Sequence, residues 1–142
     1  LRAACDEIMR EQGHPEPAGR AKITPGFNLP ARHVLHTVGP IIAPVGSPVH
    51  ESGVFAGVTH EAQQCLASCY RACLDLAAER GLASVAFCCI STGEFHYPPQ
   101  EAAETAVATC RAWLHANAAP MRIVFNVFKD EDLAIYRRIF QL

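Results

Sequence analysis

Two apolar runs limit the fold more than anything else in the chain: SVAFCCI at 84–90 and RIVFNVF at 122–128. A strand that is apolar on both faces belongs inside a sheet covered by helices on each side, the usual setting of parallel strands. Parallel neighbours need a crossover, and the sequence between the two runs has helical spacing. That helix is expected from Pro98 or Pro99 to about Ala116, with Ala102, Ala103, Ala106, Cys110, Trp113 and Leu114 inward. Proline suits its first turn, where the missing N–H would have no partner anyway.

The same alternation extends in both directions. A helix is expected from Thr59 or His60 to Arg80, its stripe being Ala62, Cys65, Leu66, Cys69, Cys73, Leu76 and Ala77. Gly81 stands where a helix C-terminal glycine belongs. DEDLAIYRRIF (130–140) reads as a closing helix, with acids in its first turn and arginines in its last, as the helix dipole favours. Near the start, Leu1, Ala4, Cys5, Ile8 and Met9 form a core-facing stripe stopped by Gly13 and Pro15. AKIT (21–24) could be a short strand, PGFN (25–28) a turn, and VLHTVG (34–39) a strand closed by Pro40. Residues 43–60 carry Gly, Pro, Ser and His without a period and read as one long loop. The outcome is a single α/β layered domain with a mainly parallel sheet.

Composition excludes several function classes. A net charge of −2 gives no electrostatic case for nucleic acid. No apolar segment approaches the roughly 18–20 residues that span a bilayer, and charges run through LRAACDEIMREQ, so no membrane role and no signal peptide are expected. The chain does not open on methionine, and its first residues already resemble mid-helix. Seven cysteines match no small disulfide framework. Cys65, Cys69 and Cys73 share a helical face, and their expected role is as small core hydrophobes rather than a metal site. Cys88 and Cys89 are expected to be packed within their strand.

Ligands of open α/β sheets bind beyond the carboxyl ends of the strands. Three such ends are visible: Thr37 to Pro40, Ser91 to Phe95, and Asn126 to Asp130. At Ser91-Thr92-Gly93 hydroxyls can donate, a glycine lets backbone amides approach an anion, and a helix start follows. A plain strand-to-helix turn uses the same residues, so both readings stand on the pattern alone. Glu94 fits a general base or a solvated carboxylate, and His36 fits a hydrogen-bonded structural histidine better than a ligand. His33, His50, His60 and His96 show no metal spacing, and Asp130, Glu131 and Asp132 read as helix-start acids.

Four stretches together resemble the macrodomain family of ADP-ribose-binding domains: GRAKITPGFNLPARHVLHTVGP, CLASCYRACLDLAAERGLASVAF, ISTGEFHYPPQEAAETAV and FNVFKDEDLAIY. They occur in family order and cover residues 1–142 nearly without a break. LRAACDEIM, STGEFHYP and FNVFKDED further resemble the zinc-containing microbial subclass, which hydrolyses ADP-ribose from modified proteins. The resemblance implies a three-layer α/β/α macrodomain with a mixed, mainly parallel sheet. It assigns Ser91, Thr92, Gly93, Glu94 and Phe95 to the diphosphate and proximal ribose. It also assigns Asn126, Phe128 and Lys129 to the adenosine side.

The family pattern also has parts that this sequence lacks: an adenine-reading aspartate, a central Asn-Ala-Ala-Asn strand, and the loop that supplies Cys and His zinc ligands. The resemblance therefore implies an N-terminally incomplete domain, open between VLHTVG and SVAFCCI, with its catalytic residues unassigned. It implies no metal or cofactor in these residues, and zinc only in a longer parent. The expected partner is ADP-ribose or an ADP-ribosylated protein, in the cytoplasm. A non-catalytic ADP-ribose reader and an inactive fragment are the alternatives.

Overall fold

The computed structural model describes residues 1–118 and 120–142. Helix α1 (Arg2–Gln12) is followed by strands β1 (Ala21–Pro25), β2 (His33–Thr37), β3 (Ile41–Ala43) and β4 (Val54–Ala56). Then come α2 (His60–Glu79), β5 (Ser84–Phe87), α3 (Pro99–Ala116), β6 (Arg122–Phe125) and α4 (Asp130–Phe140). The α/β alternation expected from the apolar runs is present, with two parallel strand pairs and one antiparallel pair.

The ends of α2 follow from its sequence. Thr59 caps its start, Oγ1 accepting from the Ala62 amide, and Gly81 beyond its end takes the left-handed conformation at φ 64°. Its inner face buries Leu66, Cys69, Tyr70, Cys73 and Leu74 against β5 and α3. The Tyr70 ring lies 4.9 Å from that of Phe87 on β5. A second cluster joins α3 to α4 through Ala103, Val107, Ile135 and Tyr136. On α3, Trp113 is buried and donates Nε1–H to Asp75 Oδ1 of α2 at 2.6 Å.

Five expectations are corrected. Residues 43–60 are not one loop, because β4 lies inside them and pairs parallel with β3. Strand β5 is not covered on both faces: Val85 and Phe87 are buried while Ser84 and Ala86 are exposed. Cys88, on that side, is exposed rather than packed. Leu114 is 39 % exposed, and the inner face of α3 uses Thr105, Val107 and Thr109 instead. The α1 stripe reaches only half-burial, with no residue of that helix fully buried.

Register fixes what lies at the centre. Strands β1 and β2 pair antiparallel, Ile23 opposite Leu35, and β5 pairs parallel with β6, Val85 opposite Ile123. Among the described residues no ladder joins β2 to β5. A cavity of about 870 Å³ separates them, lined by residues of both strands and closed by Gly39, Ser91 and Phe95.

Candidate ligand-binding site

The segment between β5 and α3 turns sharply twice, and neither turn uses glycine. Ser91 and His96 both hold positive φ, 66° and 56°. A side chain in that region costs about 1–2 kcal/mol, a strain that persists only where the surroundings dictate it. Here they do. Tyr97 N–H donates to Ser91 O at 2.9 Å, His96 N–H to Gly93 O at 3.0 Å, and Ile42 N–H to Phe95 O at 2.8 Å. The loop is thus closed on itself and pinned to β3.

Those bonds leave a set of donors unused. Among the described residues, the amides of Ser91, Gly93, Glu94 and Phe95 have no backbone acceptor, while the Thr92 amide reaches Cys89 O at 3.4 Å. Successive amides flanking a left-handed residue form a concavity suited to an anion. Open space surrounds Gly93, where an added Cβ would meet nothing within 4 Å. Ser91 Oγ is buried without a hydrogen-bond partner, which leaves a donor for a ligand oxygen. Helix α3 starts a few residues on, and no side chain caps its first amides.

The structure gathers the sequence-derived residues unevenly. Ser91 and Phe95 line the central cavity together with Thr37 and Gly39 from the end of β2. Thr92 spends its hydroxyl on Cys89 O at 3.1 Å. Glu94 is exposed beside Gly93. Asn126 donates its amide to Phe87 O at 2.7 Å, which places it at the neighbouring strand end. Phe128 is 98 % exposed just beyond. Neither of these last two lines the cavity, and Lys129 is exposed at the start of α4. The contact that sequence reasoning missed is Gly39 against Ser91, although the Gly39-Pro40 pair marks the end of β2.

Burial governs the titratable groups nearby. His36 on β2 is held below the usual histidine range by loss of solvent, and its Nε2 lies 2.9 Å from Thr24 Oγ1. That is the structural, hydrogen-bonded histidine the strand pattern implied. Burial pushes the thiols of Cys73 and Cys110 up to about 12. It also raises Cys65 and Cys89 to about 11. Burial thus favours the neutral thiol at all four, and Cys73 and Cys110 pack within the main core cluster.

The donor set does not fit zinc. Cys5 Sγ lies 3.9 Å from His36 Nε2, but that nitrogen is already engaged with Thr24. Among the described residues no third His, Cys, Asp or Glu completes a metal cluster.

The chain is similar to several curated and solved proteins. A protein-ADP-ribose hydrolase of Treponema medium is 52 % identical over 139 residues, 98 % of this chain but 49 % of that protein. A protein of the same name from Staphylococcus aureus is 46 % identical over 99 % of the chain and 48 % of its own length. The chain therefore spans about half the length of these curated relatives. An Oceanobacillus iheyensis macrodomain solved with ADP superposes at a TM-score of 0.83 and 33 % identity, over 98 % of this chain and 67 % of that one. A Trypanosoma brucei macrodomain in complex with ADP-ribose superposes at 0.71 and 31 % identity, over 87 % and 46 %. The Macro domain profile matches residues 1–106, so the chain belongs to the Macro domain family.

Proposed function

We propose that this chain binds ADP-ribose, with the diphosphate seated on the amides of residues 91–95, and that the protein containing it removes ADP-ribose from modified proteins. The observation that carries this reading is the closed loop with unused amides at Ser91, Gly93, Glu94 and Phe95 and an unpartnered Ser91 hydroxyl. A diphosphate needs several donors converging on adjacent oxygens, and backbone N–H groups offer them without spending side-chain entropy. Phe95, beside the cavity, flanks the proximal ribose; Asn126, Phe128 and Lys129 stand toward the adenosine. Thr92 supports the loop from within, and Glu94 sits at its rim.

Hydrolysis places a water at the ribose carbon that bears the protein. The cradle contributes by fixing the diphosphate and hence the ribose, a positioning effect. Among the described residues no carboxylate lines the cavity, and its histidines, His33 and His36, belong to β2. That observation favours the second reading, a reader that binds without cleaving, for these 142 residues by themselves. In the hydrolase reading, zinc belongs to the longer protein and is held by residues outside this chain. A cytoplasmic setting fits the seven free thiols.

Calorimetric titration of the chain with ADP-ribose, and with AMP as a monophosphate control, tests the binding reading. Tighter binding of ADP-ribose supports it; equal binding removes the diphosphate from the account. Incubation with ADP-ribosylated protein separates hydrolase from reader, since only a hydrolase releases free ADP-ribose.

A further inference from the structure

The loop between β5 and α3 hangs from the core by one side chain. Among residues 91–98 only Tyr97 is buried, at 1 % exposure. Its ring joins the main core cluster, with Leu66 and Cys69 of α2 and Ala102 and Ala106 of α3. A buried aromatic side chain withdraws roughly 150–250 Å² from water, a large anchor for so short a segment. Phe95, the other aromatic of the loop, is only half-buried and is tied to β3 by its carbonyl, which accepts from Ile42 N–H.

The backbone of Tyr97 reaches the cradle directly. Its N–H donates to Ser91 O at 2.9 Å. Pro98 and Pro99 carry no N–H, so neither of the next two residues could make this bond. Ser91 and His96, which the loop holds at positive φ, are not glycines, and such strain relaxes unless something outside the loop opposes it. The Ser91 carbonyl and the Thr92 amide belong to one planar peptide, so fixing the oxygen also fixes the amide. With that amide directed at Cys89 O, the amides on either side, of Ser91 and Gly93, are the ones left without backbone acceptors.

The polar end of the phenol is not what holds it. Thr105 of α3 lies beside it, yet Tyr97 Oη and Thr105 Oγ1 are both buried without a partner within hydrogen-bond distance. An unbonded hydroxyl adds nothing to the anchorage, which leaves the ring to carry it.

We infer that Tyr97 is the positioning residue of the cradle: its buried ring, acting through the bond from Tyr97 N–H to Ser91 O, keeps Ser91 left-handed and the Ser91 and Gly93 amides free for a ligand. The effect on affinity rests on the ADP-ribose reading; the hold on the loop does not.

Tyr97→Leu removes the ring, and Tyr97→Phe keeps it without the hydroxyl. Hydrogen-exchange protection of the residue-97 amide, measured on the 142-residue chain without ligand, reports the bond to Ser91 O. Protection should fall about 10-fold or more in Tyr97→Leu while the amides of α2 stay protected, and Tyr97→Phe should match wild type. ADP-ribose affinity by calorimetry, well below the melting temperature of each variant, should fall about 10-fold in Tyr97→Leu and be retained in Tyr97→Phe. A core residue without a hold on the loop would lower the melt alone. Wild-type protection at residue 97 and wild-type affinity in folded Tyr97→Leu therefore overturn the inference. A 10-fold loss of either in Tyr97→Phe overturns it too, since the hydroxyl would then carry the role. Tyr97→Met, which keeps a long apolar side chain, repeats the comparison should Tyr97→Leu fail to fold. A wild-type chain that does not bind ADP-ribose removes the diphosphate reading, and the exchange comparison still decides the role of Tyr97.

Discussion

Gly39 and Ser91, 52 positions apart in sequence, are packed so closely that a Cβ on Gly39 would lie 2.1 Å from Ser91 Oγ and 2.8 Å from Ile90 Cγ2. The end of β2 thus braces the first turn of the loop between β5 and α3. Gly39→Ala forces the loop to shift, and overpacking of this kind costs about 1–3 kcal/mol. Thermal melting should fall accordingly, and ADP-ribose affinity should drop with it. An unchanged melt would show that the brace is dispensable.

Ser91 combines strain with an unpartnered hydroxyl, so its two roles can be separated. Ser91→Gly relieves the positive φ and should stabilise the chain by about 1 kcal/mol. The same change removes the buried hydroxyl and should weaken ADP-ribose binding several-fold. Denaturant melts and calorimetry on one preparation check both signs.

Gly93→Glu probes the cradle without disturbing the fold, because open space surrounds the position. The melt should stay within about 0.5 kcal/mol of wild type, as for surface changes generally. ADP-ribose binding should disappear, since the new carboxylate stands among the phosphates.

His36 links stability to pH. Its proton is bound less tightly in the folded chain than in the unfolded one, because burial removes solvent. Unfolded histidine titrates near 6.5, so this contribution is complete above about 6.5 and is lost as pH falls toward the lower folded value. The melting temperature should therefore be lower at pH 5.5 than at 7.5, and His36→Gln should shrink that difference. A difference untouched by the substitution assigns the effect to other groups.

Asp75 Oδ1 accepts from the buried Trp113 indole N–H at 2.6 Å. Asp75→Ala leaves that N–H without a partner and should cost about 1–3 kcal/mol, whereas Asp75→Asn keeps an acceptor and should cost less. Urea unfolding of the two variants gives the comparison.

The helices were the most legible part of the sequence. In α2 and α3 the apolar period, the Thr59 cap, Gly81 and the prolines at 98 and 99 all point to the same boundaries. Parallel pairing of β5 with β6 followed from their shared apolar character. Strand β4 was hidden because three residues between Gly53 and Gly57 carry too little pattern to read. The open face of β5 was illegible for another reason: composition shows that Ala86 and Cys88 can be buried, not whether anything covers them. At the site, Ser-Thr-Gly marked the loop, but nothing in it announced that Ser91, rather than Gly93, takes the left-handed turn. The Gly39 brace is a long-range contact, which local sequence does not encode. Assignment of Asn126 and Phe128 came from family resemblance, and the structure sets both outside the central cavity.

The most direct measurement is a ¹⁵N chemical-shift titration of the 142-residue chain with ADP-ribose, which reports each backbone amide even when binding is weak. The amides of Ser91, Gly93, Glu94 and Phe95 should move most and saturate together, while Thr92, already bonded to Cys89 O, moves less. Shifts confined to other residues, or none at millimolar ligand, would contradict the diphosphate cradle.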